Sequence, residues 1–394
     1  MQRTFFEEDH QAYRETVREF LAREVEPHYE RWETERLIDR SAWLAAGKSG
    51  IVGLAIPEAY GGSGVTDYRF RNVVAEEIAR TGTTSFGAGM SLQDDVALPY
   101  IIDLSTDDQK QRWLPGMAAG ELIGAIAMTE PGTGSDLQGI KTTAVRDGDD
   151  WILTGQKTFI TNGIHADVVI VVARTDPGAG ARGFSLLVVE RDMPGFTRGR
   201  KLHKIGLAGQ DTAELSFDQV RVPGSNLLGA EGRGFLHLME HLPLERTSIA
   251  VASITGARAA YEWTKNYVFE RTAFGAPIGD LQNTRFALAE MLTEIEVTQS
   301  HIDRCVLALN AGELTAVDAA KAKWWASELQ KRVVDRCVQL HGGYGYMLEY
   351  PIGRAYVDTR VHTIYGGTTE IMKEIIGRDI AADMSAPRNP NTGQ

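Results

Sequence analysis

The segment from Met128 to Asp136 has the residue types best suited to bind a ligand. It reads Met-Thr-Glu-Pro-Gly-Thr-Gly-Ser-Asp and lies where helical patterning changes to strand patterning. Its glycines let the backbone approach a ligand without a Cβ in the way, and its hydroxyls add hydrogen-bonding groups. It is not a dinucleotide-binding fingerprint, because Leu137 occupies the third small position. We predict a loop that holds an anionic, planar ligand, although this composition is also typical of an ordinary connecting loop.

Three regions of different patterning surround this loop and must position it. Helical spacing of apolar residues dominates up to about Gly124, short strand-like runs follow, and helical patterning returns from Gly234. We therefore predict a multidomain α + β protein. Its parts are an N-terminal helical domain (1–125), a middle β domain (126–234), a C-terminal helical bundle (235–385) and a disordered tail (386–394).

Two helix starts can be predicted from capping residues. Ser41 is a candidate N-cap of a helix that Gly50 ends. Thr315 and Asp318 form a capping-box pattern ahead of a long helix from Ala316 to Leu340.

Composition excludes several classes of protein. The 394 residues carry a formal net charge of −12, which argues against a nucleic-acid-binding surface. Cys305 and Cys337 have no partner spacing, so neither a disulfide nor a metal site is predicted. The first ten residues lack the apolar core of a signal peptide and the Arg-rich pattern of a transit peptide, and no apolar run is long enough to span a bilayer. We expect a cytoplasmic protein with no integral membrane segment, with a processed organelle form as the alternative.

Six dispersed motifs and the order of the three domains resemble the acyl-CoA dehydrogenase family of flavoenzymes. The motifs are Met128–Asp136, Lys157–Gly163, Glu270–Gly275, Gln282, Gln339–Gly343 and Ile364–Thr368. The resemblance covers nearly the whole chain. It implies the fold of that family, with a middle β-barrel or sandwich domain and a C-terminal four-helix bundle, and an enzyme that uses FAD.

The resemblance implies FAD-binding roles for two groups of residues. The group expected around the isoalloxazine ring is Ile126, Met128, Thr129, Gly134, Ser135, Phe159, Ile160 and Thr161. The group expected to meet FAD bound mainly by another subunit is Arg271, Phe274, Gln282, Gln339, Leu340, Gly342 and Gly343, with Thr368 and Glu370 as further cofactor contacts. A shared site implies an oligomer, and the family favours a homotetramer. Without the resemblance, Phe159 is a core aromatic and Arg271 a solvated charge at a helix end.

The segment Tyr365–Thr368 departs from the family pattern, in which a Tyr-Glu-Gly-Thr motif carries the catalytic base. Gly366 stands at the glutamate position and has no side chain to remove a proton. Glu245, in the segment Leu242–Arg246 at the start of the first long helix of the bundle, resembles the base of the long-chain and isovaleryl branches. By itself, a Glu-Arg pair on a helix is more typical of a surface salt bridge. As a base in a dry pocket, Glu245 is expected to have a raised pKa.

The resemblance also implies how an acyl-CoA substrate would bind. The candidate substrate contacts are Ser135, Arg182, Pro243, Arg246, Gly366 and Gly367. A backbone N–H of one of the two glycines would hold the thioester oxygen, while Glu245 removes the α-proton and a hydride leaves the β-carbon for the flavin. The expected product is a trans-2-enoyl-CoA of β-oxidation, and the expected electron acceptor is an electron-transferring flavoprotein.

The sequence leaves alternatives open for the length of the acyl chain and for the reaction catalysed. Long acyl chains are favoured over isovaleryl-CoA because Lys323–Gln330 and Asp335–Gly343 resemble the long-chain branch. The alternatives are an inactive flavin- or CoA-binding paralogue that lost its base, and a flavoenzyme that passes electrons directly to oxygen.

A run of basic residues is expected to be a solvated strand rim, with docking of an electron acceptor as the other interpretation. It comprises Arg198, Arg200, Lys201 and Lys204.

Overall fold

The computed structural model describes residues 3–385, so the tail predicted for 386–394 lies outside the described residues. The chain forms an N-terminal helical domain, a middle β-sheet domain and a C-terminal helical domain. The predicted fold class is confirmed.

The N-terminal domain consists of seven α-helices within the described residues. They are α1 (Glu8–Phe20), α2 (Glu26–Glu35), α3 (Arg40–Lys48), α4 (Tyr68–Thr81), α5 (Thr84–Ser91), α6 (Leu98–Leu104) and α7 (Asp107–Ala118). Short π-helical segments join α1 to α2 and α5 to α6. The predicted cap of α3 is wrong: the extended backbone of Asp39 precedes the helix, which leaves Ser41 inside the first turn.

The middle domain is one eight-stranded mixed sheet. Its strands are β1 (Gly124–Ala127), β2 (Thr143–Asp147), β3 (Asp150–Thr161), β4 (Val168–Arg174), β5 (Phe184–Glu190), β6 (Phe196–Lys201), β7 (Thr212–Val222) and β8 (Leu227–Leu228). The order is β6-β7-β3-β2-β4-β5-β8, and β1 pairs in parallel with β4. Alternate residues of β4 pack on opposite sides, against the N-terminal helices and against the rest of the sheet. Both faces of β4 are therefore buried, which explains its continuous apolar sequence.

Up to residue 385, where the description ends, the C-terminal domain has three long helices and two shorter ones. They are α8 (Gly234–Glu270), α9 (Gln282–Asn310), α10 (Ala316–His341), α11 (Pro351–Asp358) and α12 (Thr369–Ser385), with a small hairpin of β9 (Thr272–Ala273) and β10 (Ala276–Pro277) after α8. The predicted cap of α10 is confirmed, because the Asp318 N–H donates to the Thr315 hydroxyl at 3.0 Å. Glu245 lies within α8 rather than at its start, since the helix continues through Pro243.

The helix α8 packs against elements of all three domains. It packs against α4, α6, α9 and α10, and its buried face includes polar side chains as well as apolar ones.

No helix within residues 3–385 combines the length and the apolar character that a membrane crossing requires. Cys305 and Cys337 are buried, free thiols.

Candidate active site

The predicted ligand-binding loop, Met128–Asp136, follows directly after strand β1. Reciprocal backbone hydrogen bonds between Glu130 and Thr133, at 2.9 and 3.0 Å, close a tight turn. Beyond this turn Gly134 and Ser135 are exposed, and a Cβ added at Gly132 or Gly134 would contact nothing within 4 Å. The loop therefore presents its glycine backbone to open space, as a ligand-binding loop requires.

A buried ion pair holds the start of this loop. The Lys157 ammonium donates to the backbone carbonyl of Met128 and to the carboxylate of Glu130, both at 2.9 Å. Glu130 also accepts hydrogen bonds from the N–H groups of Lys141 and Thr142. Burial lowers the pKa of Lys157 to about 8, although the carboxylate of Glu130 opposes this change. Because a trans peptide directs its C=O and N–H to opposite sides, fixing the Met128 carbonyl inward turns the next N–H, that of Thr129, outward.

Phe159 stands beside this loop in an unusual conformation. Its φ is +60°, a left-handed value that is rare for an aromatic residue, and its side chain is 68% exposed. The strand register shifts between Lys157 and Ile160, and the Thr158 N–H donates to the Thr129 carbonyl at 2.9 Å. Strain of this kind is typical of functional sites.

The structure brings together most of the residues predicted around the isoalloxazine. Met128, Thr129 and Thr161 are half-buried at the same sheet end, next to exposed Phe159. The side chains of Ile126 and Ile160 are instead 7% and 3% exposed within the core, which leaves only their backbones available to a ligand.

Five residues of the second predicted group line a surface cavity. This cavity has a volume of about 450 Å³ and lies between the end of α8 and the end of α10. Its lining includes Arg271, Gln339, Leu340, Gly342 and Gly343. A Cβ at Gly342 or Gly343 would contact nothing within 4 Å, so the floor at these residues is open backbone.

Four other predicted cofactor residues do not line that cavity. Phe274 is 96% exposed at the tip of the β9–β10 hairpin, with φ at +56°. Gln282 is the exposed first residue of α9. Thr368 caps α12 through its hydroxyl, which accepts from the Ile371 N–H at 3.3 Å, and Glu370 lies exposed in the first turn.

Glu245 is buried and accepts one hydrogen bond. Its side chain is on α8, and the Tyr100 hydroxyl on α6 donates to its Oε1 at 2.8 Å. Burial raises the pKa of the Glu245 carboxyl above its usual value, although Tyr100, His241 and Arg246 oppose the change. This direction of the pKa shift agrees with the prediction for Glu245. The alternative interpretation, a Glu-Arg salt bridge on the helix surface, does not fit, because this carboxylate is buried.

The space that a side chain at Gly366 would need is occupied by the end of the Ile249 side chain. The φ of Gly366 is +62°, and a Cβ there would collide with the end of the Ile249 side chain, one helical turn after Glu245 on α8. The next residue, Gly367, has φ at +98°, and its carbonyl accepts from the buried Lys323 ammonium at 2.5 Å. A side chain at position 366 would therefore displace Ile249 and strain the backbone, and the Lys323 hydrogen bond holds that backbone in place.

The predicted substrate contacts differ in exposure. Arg246 is buried, and its Nε finds no hydrogen-bond partner among residues 3–385. Burial lowers the pKa of its guanidinium, while Glu245 opposes the change. Such an unpaired buried donor indicates a place that a ligand or water completes. Pro243 is half-buried in α8, and Arg182 and Ser135 are exposed.

The basic run is only partly a solvated rim. Lys204 is half-buried and donates to Gln210 and Thr212, and burial lowers its pKa to about 8. Lys201 donates to the Glu35 carbonyl at 2.6 Å. Arg200, with a side chain 79% exposed, fits the predicted rim.

Comparison with known proteins agrees with this geometry. Family models match along the chain: Acyl-CoA dehydrogenase, N-terminal domain at residues 7–121, middle domain at 125–220 and C-terminal domain at 232–381. The chain is 50% identical over 383 residues to the mitochondrial long-chain specific acyl-CoA dehydrogenase of Sus scrofa, covering 97% of this chain and 88% of that protein. The acyl-CoA dehydrogenase structure from Geobacillus kaustophilus superposes with a TM-score of 0.94 at 50% identity, covering 96% of this chain and 100% of that one.

The chain belongs to the acyl-CoA dehydrogenase family. Members of this family are FAD-dependent oxidoreductases that act on CH–CH bonds, which confirms the predicted enzyme class and cofactor. A glutaryl-CoA dehydrogenase from Mycobacterium smegmatis in complex with FADH2 is 30% identical, with a TM-score of 0.89 and coverage of 97% of both chains. The open loop, the exposed Phe159 and the cavity at Arg271 fit a flavin dinucleotide.

Several residues around this acyl-CoA dehydrogenase site had no predicted role. They are Tyr100, Lys157, His241, Ile249 and Lys323. Lys157 lies inside a motif that was recognised, so a buried lysine there was a usable signal. Tyr100 gives no local signal, because its partner Glu245 is 145 residues away. Among residues 3–385, His, Cys, Asp and Glu side chains form no group of three or more that could hold a metal ion.

Proposed function

We propose that this protein oxidises long-chain fatty acyl-CoA thioesters to trans-2-enoyl-CoA in β-oxidation, with Glu245 as the base. One observation carries the proposal: Glu245, one helical turn before the Ile249 side chain that a Cβ at Gly366 would meet, is a buried carboxylate with a raised pKa. The 50% identity to a long-chain specific relative supports the preference for long chains.

The proposed reaction assigns a separate task to each part of the site. Glu245 takes the α-proton, so the α C–H bond breaks and an O–H bond forms on its carboxylate. A backbone N–H at Gly366 or Gly367 donates to the thioester oxygen and stabilises the charge that develops there. The Lys323 ammonium holds that backbone in place through the Gly367 carbonyl. Bound FAD supplies the acceptor for the hydride that leaves the β-carbon.

Arg246 is proposed to contact the substrate. Its buried guanidinium has an unpaired Nε–H, which an oxygen of the substrate would satisfy. Ser135 and Arg182 are exposed on the middle domain and would meet the polar CoA moiety. Pro243 would lie along the same path on α8.

The FAD site is proposed to be shared between subunits of a homotetramer. Neither Phe159 nor Met128 lines the cavity at Arg271. Phe274, although 96% exposed, keeps a strained backbone at a hairpin tip, as expected if it contacts FAD on another subunit. Gln282, Thr368 and Glu370 are assigned to the same contact.

Electrons are proposed to pass to an electron-transferring flavoprotein. A cytoplasmic location stays a prediction, and the Sus scrofa relative is named as mitochondrial. Oxygen consumption by the substrate-reduced enzyme, without any added acceptor, would instead support the oxidase alternative.

The decisive experiment compares anaerobic flavin reduction in the wild type and in Glu245→Gln. Palmitoyl-CoA should bleach the wild-type flavin rapidly, and the variant should bind FAD and ligand but react more than about 100-fold more slowly. Glu262→Gln, a half-buried position on the same helix whose carboxylate pairs with Lys265, is the matched control and should react normally. A near-wild-type rate for Glu245→Gln would refute the assignment.

Isovaleryl-CoA in a parallel cuvette tests the preference for long chains. Faster bleaching by this short branched substrate would favour the isovaleryl alternative. A flavin that neither substrate reduces would favour the inactive paralogue.

A further inference from the structure

The hydrogen bond from Tyr100 to Glu245 joins two domains at the base. Tyr100 is fully buried on α6, and its hydroxyl donates to Oε1 of Glu245 at 2.8 Å. The second oxygen, Oε2, makes no hydrogen bond with any residue from 3 to 385. One carboxylate oxygen is thus anchored, and the other is available to a substrate.

The Tyr100 ring is itself held against α8. It stacks on the His241 ring at a centroid distance of 4.1 Å and an angle of 19°. His241 precedes Glu245 by one helical turn, and Asp103 follows Tyr100 by about one turn on α6. His241 Nε2 lies 3.1 Å from the Asp103 carboxylate, so two contacts cross between the same two helices. The phenol therefore has little freedom to move away from Glu245.

The hydrogen bonds of His241 indicate that it is charged. Its Nδ1 lies 2.8 Å from the His237 carbonyl, and its Nε2 faces the Asp103 carboxylate. Both partners can only accept hydrogen bonds, so the ring satisfies both when each nitrogen carries a proton. Burial opposes the charge, but these two hydrogen bonds raise the pKa of His241 above its usual value.

We propose that Tyr100 is a positioning residue for the base: it anchors Oε1, directs Oε2 to the α-carbon and favours the ionised carboxylate. This inference rests on the proposed role of Glu245. The phenol hydroxyl can donate to the carboxylate but need not take up the abstracted proton, which goes to Oε2. Tyr100 therefore acts on the reaction only through Glu245.

The other charged groups along this part of α8 lie on the helix itself or on elements packed against it. Arg246 follows it in the helix, and Lys323 on α10 lies close to Arg246. On the π-helical segment before α6, Asp95 is neutralised by Arg71 at 2.9 Å. These groups stay in place when the Tyr100 hydroxyl is removed, so the effect of that hydroxyl can be measured separately.

Tyr100→Phe tests the proposal, because it removes the hydroxyl and keeps the ring stack. The measurement is the pH dependence of anaerobic flavin reduction by saturating palmitoyl-CoA in the holoenzyme. Burial raises the pKa of Glu245, and the hydrogen bond from Tyr100 opposes this rise. Loss of that hydrogen bond should therefore move the acid limb of the pH–rate profile, where protonation of Glu245 lowers the rate, to higher pH by about one unit. At the high-pH plateau the variant should reduce its flavin at a rate within about threefold of the wild-type rate, and its affinity for FAD should not change.

A matched control separates this effect from general loss of a buried hydroxyl. Tyr29→Phe removes a buried hydroxyl that accepts from the Ser85 N–H at 3.0 Å in the N-terminal domain, and it should leave the acid limb unchanged. A 3-thiaacyl-CoA, whose sulfur prevents hydride loss, gives a second readout. Deprotonation of this ligand on the oxidised enzyme can be monitored by long-wavelength absorbance. The pH at which it occurs should also be higher in Tyr100→Phe than in the wild type.

The outcomes distinguish the inference from the function on which it rests. An unshifted acid limb in Tyr100→Phe, or an equal loss at every pH, would overturn the positioning role. If Glu245→Gln were inactive at the same time, the proposed function would stand. A fully active Glu245→Gln variant would refute both the positioning role of Tyr100 and the assignment of Glu245 as the base.

Discussion

The Ile249 side chain occupies the space that a side chain at Gly366 would need. Ile249 lies one turn after Glu245 on α8, so a single helix face supplies a carboxylate and fills the position that the family base would take. The relocated base and the glycine are therefore linked by packing as well as by chemistry.

This packing can be measured with Gly366→Ala. The added methyl should destabilise the protein through its clash with Ile249 and through the left-handed backbone, the latter alone costing about 1–2 kcal/mol. Ile249→Val removes the clashing carbon and should recover only the steric part. A double-mutant cycle by urea unfolding gives the coupling. Zero coupling would show that Ile249 does not restrict position 366.

The buried pair of Lys157 and Glu130 should control flavin binding. Lys157→Met leaves the Glu130 carboxylate without its cation and should cost about 3–5 kcal/mol of stability, together with weaker FAD binding. The measurements are urea unfolding of the apoprotein and FAD titration. The double variant with Glu130→Gln should recover stability but not FAD affinity, because the Met128 carbonyl stays unanchored. Recovery of both would contradict a role in loop geometry.

Phe274→Gly should have opposite effects on stability and on cofactor retention. Glycine relieves the left-handed strain at a 96% exposed residue and should stabilise the protomer by about 1 kcal/mol. FAD should nevertheless dissociate faster if this residue covers the cofactor of another subunit, and Phe274→Tyr should retain it. Thermal unfolding and gel filtration with absorbance detection measure the two effects. Unchanged retention would argue against a shared site.

His362 should make the protein sensitive to acid. Its Nδ1 lies 2.7 Å from the Gln330 side-chain oxygen, its ring stacks on Tyr365, and burial lowers its pKa to about 4. An unfolded histidine has a pKa of about 6.5, so the unfolded state binds the extra proton first as the pH falls. Stability is then fully present above about pH 6.5 and falls by about 2–3 kcal/mol as the pH drops towards 4.

His362→Gln tests this source of pH dependence. The variant should show a flatter stability profile between those pH values in urea unfolding. An unaltered profile in His362→Gln would assign the acid sensitivity to other groups.

Local patterns in the sequence determined much of the architecture. The 3.6-residue spacing and the Thr315 cap define α10, and the apolar runs define β4 and β5, because these signals involve residues close together in the chain. The motif around Gly366 also showed from sequence that the usual base is missing. Such features depend on backbone propensity and residue type alone.

The tertiary structure decided what surrounds the base. Tyr100 and Glu245 are 145 residues apart, and neither the stack on His241 nor the filling of space by Ile249 leaves a periodic signal in the sequence. The left-handed backbone of Phe159 likewise depends on a register shift between paired strands. A side chain's pKa and freedom depend on the groups that folding places within a few ångströms of it, and these come from distant parts of the chain.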